Sequence, residues 1–384
     1  MYKRNIYIMY LISLLQGMVF YAPVATLYRQ ARGVSIFQIT LIEGISLVLC
    51  MVMEVPWGVL ADKIGYKKTM LSCNALYFLS KIVFWKAEGF GGFLAERIML
   101  SVVCAGLSGV DMSVLYLSCE KSESQKVFGF YEGLGTIGLL TTSFVYTIFI
   151  QDNYSLSGFL TVISYGIAMV LSFFLIEVKK EKEQKSKETV KEFANLLKDI
   201  FKNKRLFLFL LAMALFHETH QTVTVFLSQL QYVRAGIGNA VMGVLYGVIT
   251  IVALCGFLSD KVTKEMGEHK TMCLCFLAAI VSCTLLAFTD MAVLTIMGVL
   301  LLRFGFSIAG PLWQVLQNRQ IETENRATAL SVHAVFMDSV GVTTNLLFGA
   351  LAEYSLMAAF GFGALISTGA WIMYETWNRS KLVR

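Results

Sequence analysis

The chain has 384 residues, 57% of them hydrophobic and only 15% charged, with a formal net charge of +6. Soluble domains carry about 25% charged and 45–50% apolar residues, and a mean hydropathy of +0.66 sets this chain outside that class. Its apolar runs reach membrane-spanning length, about 20 residues each. They lack the short alternating segments of a membrane barrel, so the fold class is an all-α membrane protein.

The opening stretch, "MYKRNIYIMYLISLLQGMVFYAPV", joins a basic end to a long apolar run and has no small-residue cleavage site. It reads as an uncleaved first span. The apolar pattern predicts twelve spans: 6–28, 38–60, 69–88, 91–118, 128–150, 156–178, 206–231, 238–259, 270–289, 291–315, 327–350 and 356–376. An even number puts both termini on one side of the membrane. Of the Lys and Arg residues outside the spans, 25 fall in the termini and the loops on their side, whereas the opposite loops hold only Arg29, Arg32, Lys86 and Arg234. Basic residues stay on the cytoplasmic side, so both termini are expected there. The positive charge is then a topology signal, and no nucleic-acid partner is expected.

One connection is long: "KKEKEQKSKETVKEFANLLKDIFKNKR". It divides the chain into an N-terminal six-helix half, 1–178, a cytoplasmic linker, 179–205, and a C-terminal six-helix half, 206–384. Val190, Phe193, Leu197 and Ile200 recur at helical spacing among lysines. That pattern fits an amphipathic helix lying on the inner leaflet or a solvated charged linker. The eight cysteines form no CxxC and lie almost all in or beside apolar spans. They read as buried small hydrophobes rather than disulfides or metal ligands.

The halves echo one another. "GVLADKIGYKKTM" at 58–70 returns as "GFLSDKVTKEMGEHKTM" at 256–272, with a four-residue insertion. Duplicated six-helix halves are an architecture of secondary transporters. The string Gly58-x-Leu60-Ala61-Asp62-Lys63-x-Gly65-x-Lys67 resembles the signature loop of the major facilitator superfamily, written GxLaDrxGrk, and stands where that family has it, between the second and third spans. The resemblance implies twelve helices in two pseudo-symmetric halves and alternating access around a central site between them. It also implies that Asp62 meets the start of the eleventh span near Ala327-Thr328-Ala329, closing a latch on the cytoplasmic side. Gly58 would let helices approach closely, Gly65 would permit the tight turn, and Asp62 would gain about 0.3–1 kcal/mol at a helix N-terminus. Lys63 and Lys67 are expected to pair with Asp111 or Glu120, while Lys68 reads as a topology signal. The chain departs from the family pattern at Tyr66, which stands in place of a basic residue. It also departs in the fifth span, where Gly129, Gly133, Gly135 and Gly138 occur without the proline of the drug-antiporter signature. Of the fourth-span pattern Arg-x-x-Gln-Gly only Arg97 is kept.

Ionisable groups inside spans cost about 2.5–3.5 kcal/mol on insertion scales and need a reason to be there. The candidates are Glu43, Arg97, Asp111, Glu132, Glu218, Arg303 and Asp338; Lys81 and Glu96 are expected to reach the outer interface. Glu218 lies in "FHETHQ" near midplane depth, between His217 and His220. A carboxylate there can carry a proton, with the imidazoles tuning it. Structural satisfaction by neighbouring helices is the second reading, and a metal site is the weakest because the histidines are three apart with the glutamate between them. Glu43 can pair with Arg97 or serve as the proton site. Arg303 can hold Glu218, Asp338 or an anionic substrate. Gln16, Tyr21, Trp313 and Gln314 can line a substrate cavity, against the plainer reading of each as packing.

These features predict a secondary active transporter in the plasma membrane, of the bacterial inner-membrane kind, that exports drug-like or metabolite compounds against protons and resembles the drug-efflux branch of the family. Uptake of a nutrient by proton symport is the alternative, and a non-transporting sensor or scaffold is the third reading. Expected partners are a small-molecule substrate, protons and the lipid bilayer. The chain is expected to work as a monomer without metal or cofactor, and nothing in it suggests an enzyme.

Overall fold

A computed structural model of the chain describes residues 3–120, 123–178, 189–321 and 326–382. Side chains are described throughout these except at 54, 55, 58, 59, 61, 62, 189–194, 196, 326–328 and 380–382. The described residues are helical almost throughout: α1 (Lys3–Gly17), α2 (Ala25–Ala31), α3 (Ile36–Ile64), α4 (Tyr66–Lys86), α5 (Gly89–Leu107), α6 (Val110–Ser118), α7 (Ser124–Val145), α8 (Tyr154–Ser172), α9 (Thr189–Lys202), α10 (Lys204–Gln221), α11 (Ser228–Arg234), α12 (Asn239–Ala253), α13 (Ser259–Met266), α14 (Glu268–Phe288), α15 (Ala292–Asn318), α16 (Arg326–Tyr354) and α17 (Leu356–Leu382).

Eleven helical stretches among the described residues are long and apolar enough to cross a membrane. The expected third span, α4, is not among them, although its 21 residues reach about 31 Å at 1.5 Å per residue. Its sequence is diluted by polar side chains, and these turn inwards: Asn74, Ser80 and Lys81 are buried. The first expected span is interrupted. α1 stops at Gly17, and a short 3-10 turn carrying Pro23 leads into α2.

The chain folds as two compact units. The first comprises Met1–Lys182 with Gly238–Thr250, the second Glu183–Ile237 with Ile251–Arg384. In the first unit α1, α6, α7 and α8 enclose an apolar core that includes Met9, Ile12, Val114, Leu115 and Leu175. α1 and α7 cross at Gly17 and Gly138, where a Cβ on Gly138 would lie 2.4 Å from the Leu14 carbonyl oxygen. Gly138, expected as part of an antiporter-like pattern, thus serves close helix packing. The N-terminal part of α12 groups with this unit because Ser143 of α7 donates a hydrogen bond to the Gly243 carbonyl at 2.6 Å.

The repeat seen in the sequence is also a repeat of backbone. Gly65 (φ 91°, ψ 156°) and Gly267 (φ 86°, ψ 151°) make the same single-residue turn into α4 and α14. In each case the following threonine, Thr69 or Thr271, donates its hydroxyl to the glycine carbonyl at 2.9 Å. α3 continues helically to Ile64, so Lys63 lies on a helix rather than in a loop. The latch expected of Gly58, Asp62, Ala327 and Thr328 falls outside the residues whose side chains are described. The described part of the motif has a partner the sequence did not suggest. Glu177 accepts the backbone N–H of Tyr66 at 2.9 Å and that of Lys67 at 3.2 Å, capping α4. The expected pairing of Lys63 or Lys67 with Asp111 is corrected. Asp111 accepts from the Met112 N–H and the Tyr131 hydroxyl, and no ion pair joins it to a lysine among the described residues. The linker does form a helix, α9, on which Ile200 is buried.

Candidate functional site

Each unit carries a buried polar cluster, and each is built by residues the apolar pattern would otherwise exclude. In the second unit the cluster grows from the C-terminal end of α10. Glu218 is buried there at 5% exposure. Its Oε1 lies 3.1 Å from His217 Nδ1. Its Oε2 accepts a 3.0 Å hydrogen bond from the Asn345 amide of α16. Thr222 donates its hydroxyl to Asn345 Oδ1 at 2.6 Å, leaving the amide NH2 to face the carboxylate. Thr222 opens a π-helical turn, Thr222–Leu227, that interrupts the α-helical run; such turns recur at functional sites. Room for the carboxylate comes from Gly341, one turn before Asn345 on α16. A Cβ there would fall 2.7 Å from Glu218 Oε1, so any larger residue would collide with the acid.

His220 points elsewhere. It is buried, its ring stacks on Phe306 with centroids 3.8 Å apart, and its Nε2 faces Arg303 Nη1 at 3.0 Å. A guanidinium only donates, so this imidazole nitrogen accepts and the Nδ1 carries the hydrogen. The two histidines flanking Glu218 therefore diverge, and the arrangement is unlike a metal site. Trp313 is buried with its ring edge-on to His217 at 5.9 Å, whereas Gln314 is exposed. Asp338 is half-buried on α16, one turn before Gly341.

The first unit's cluster centres on Lys81 and Glu96. Expected at the outer interface, both are instead buried, at 4% and 0% exposure. Lys81 Nζ lies 3.8 Å from Glu96 Oε1 and donates to the Tyr21 hydroxyl at 3.0 Å. The rings of Tyr21, Tyr77 and Tyr165 surround it at 5.7, 5.1 and 5.1 Å. Cation–π attraction strengthens when the cation is desolvated, which accounts for this lysine remaining inside instead of extending its head to the interface. Both Glu96 oxygens are buried without a hydrogen-bond donor among the described residues. Beside them Gln16 donates to Asn74 Oδ1 at 2.6 Å, and Tyr165 donates to the Gln16 carbonyl at 2.7 Å. Arg97 forms an ion pair with Glu43.

The structure thus brings together Glu218 with His217, His220 with Arg303, Glu43 with Arg97, and Tyr21 with Lys81. Sequence reasoning missed Gly341 and Asn345 and placed Lys81 and Glu96 at the outer interface rather than in a buried pair. Asn345 had a signal, being a primary amide within an apolar helix, where such groups bond across helices. The partner of Lys81 lies on a different helix, and no spacing rule could pair them.

A helical membrane protein with a buried acid in one unit and a buried lysine–glutamate pair in the other has the make-up of a membrane transporter. The Major Facilitator Superfamily profile matches residues 6–345, and the chain belongs to that family. It is 24% identical over 349 residues to the lysophospholipid transporter LplT of Photorhabdus laumondii, covering 86% of this chain and 85% of that one. It is 25% identical over 214 residues to an uncharacterised transporter of the same type from Methanocaldococcus jannaschii. That second match spans 53% of this chain and about half, 54%, of the archaeal protein. The fold is shared with the nucleoside transporter NupG in a mutant form, at a TM-score of 0.82 and 15% identity, over 97% of this chain and 99% of that one. The chain is a membrane transporter of the major facilitator type and not an enzyme.

Proposed function

We propose that this chain moves a small organic molecule by alternating access and couples the movement to protons, with Glu218 as the proton-carrying group. The observation that supports this is a buried carboxylate held by an imidazole and an amide, with no lysine or arginine paired to it among the described residues. Such a group is costly when charged inside a span and inexpensive when neutral. Gaining or losing a proton therefore changes the relative free energies of conformations that expose it differently. In this reading His217, whose side chain is 39% exposed, is the neighbour that passes the proton on. Export of a drug-like or metabolite compound by antiport is the first reading of direction, and nutrient uptake by symport the second. Both use twelve spans, with α4 as the third, and both termini in the cytoplasm of a cell whose plasma membrane holds the protein.

The lysophospholipid relative favours one substrate class for early screening, a lysophospholipid-like amphiphile.

The test is transport in everted vesicles and proteoliposomes. Collapsing the pH gradient is expected to abolish accumulation. Glu218→Gln is expected to lose gradient-driven accumulation while keeping substrate-induced thermal stabilisation. Gradient-driven transport by Glu218→Gln at the wild-type rate would overturn the assignment. The sign of the gradient that drives accumulation decides between antiport and symport.

A further inference from the structure

A third set of chemically capable side chains lies in the second unit, where α14 and α17 cross. His269 and Cys273 are one turn apart on α14, on one face of the helix. Glu375 reaches them from α17. His269 Nε2 lies 2.8 Å from Glu375 Oε1, Cys273 Sγ lies 3.0 Å from the same oxygen, and the sulfur lies 3.5 Å from His269 Nε2. Each residue offers one ligand atom, and all three atoms lie within 4.8 Å of one another. The site is reachable from the surface, because the His269 side chain is 45% exposed.

We propose that His269, Cys273 and Glu375 form a binding site for a divalent cation of the zinc type. The donor set of one imidazole nitrogen, one thiol sulfur and one carboxylate oxygen suits Zn2+, which takes all three and keeps a fourth position for water when the protein supplies only three. Harder cations such as Mg2+ and Ca2+ favour all-oxygen sets and are not expected to compete. Bond lengths of about 2.0–2.3 Å in tetrahedral geometry place ligand atoms about 3.4–3.6 Å from each other. The sulfur–nitrogen separation already meets that distance. The carboxylate needs to retreat by about half an ångström, a small adjustment for the side chain of Glu375, which is 28% exposed. Binding replaces the thiol proton with the cation, and the proton leaves to solvent. The bound ion would fasten α14 to α17, and α17 packs directly on α10, the helix that carries Glu218. The sequence hides this site because Glu375 stands 102 residues beyond Cys273.

The test uses full-length, tag-free protein in detergent, with Co2+ as a spectroscopic probe and Zn2+ as competitor. One Co2+ per chain is expected, with tetrahedral visible bands and a near-ultraviolet thiolate-to-cobalt band, all removed by added Zn2+. Cys273→Ser should abolish the near-ultraviolet band although the other seven cysteines remain. His269→Gln and Glu375→Gln should each weaken binding at least tenfold. Zn2+ should raise the thermal midpoint of the wild type and leave that of Cys273→Ser unchanged. Absence of the thiolate band in the wild type, or equal Co2+ affinity in wild type and Cys273→Ser, would overturn the proposal.

Discussion

Lys81 and Glu96 show how a single pair can join two helices and also endanger the fold. Both are buried, and each is the charged partner of the other. Breaking one side of such a pair leaves an uncompensated buried charge and costs about 3–5 kcal/mol, whereas replacing both with apolar residues of similar size is often near neutral. Lys81→Met is therefore expected to lower the thermal midpoint of the purified protein sharply, and Lys81→Met/Glu96→Leu to recover most of the loss. A Lys81→Met protein as stable as the wild type would show that the lysine is not needed to neutralise Glu96. Glu218 differs in kind. Its neighbours are an imidazole and an amide, so substituting it strands no lysine or arginine among the described residues.

At the scale of elements, the turns after α3 and α13 are the sharpest expression of the repeat. Gly65 and Gly267 share a backbone conformation that only glycine adopts readily, and forcing another residue into it costs about 1–3 kcal/mol. Their surroundings differ. A Cβ on Gly65 would also lie 2.8 Å from the Glu177 carboxylate, while one on Gly267 would meet nothing within 4 Å. Gly65→Ala is expected to destabilise more than Gly267→Ala, because it adds displacement of the α4 cap to the backbone strain. Thermal melts of the two variants side by side check this, and equal losses would count against a stabilising role for Glu177. The existence of these turns was legible in the repeated string. Glu177 was not, because its register with α4 depends on how α8 and the segment after it pack.

For the whole molecule, the prediction concerns how often and in which direction the chain crosses. α4 is the least apolar long helix of the first unit, and Asn74, Ser80 and Lys81 on it are buried. It is expected to cross nonetheless. Alkaline phosphatase fused after Gly65 should be inactive and after Lys86 active, while a fluorescent protein fused at the C-terminus should fluoresce from the cytoplasm. Inactivity at both phosphatase sites would remove α4 from the count of spans and reverse every later loop. The composition made membrane residence plain, and Lys and Arg placement supplied an orientation. Window hydropathy scores low for a helix whose buried face carries a lysine, an asparagine and a serine.

The sequence by itself determined the class: a helical membrane protein, built as a repeat, with the signature of the major facilitator superfamily. Those properties reside in composition, in the period of apolar residues and in short strings, all of which survive without knowledge of the fold. It also marked Glu218, His217, Arg303 and Arg97, because a charge in an apolar span is visible as an exception. Only the tertiary structure decided partners. It set Asn345 and Gly341 against Glu218, enclosed Lys81 in tyrosines from α4, α8 and the turn after α1, and gathered His269, Cys273 and Glu375 at one crossing. These are contacts between residues far apart in the chain. They depend on helix rotation and on the close approach that small residues allow, and neither quantity is written in any local pattern.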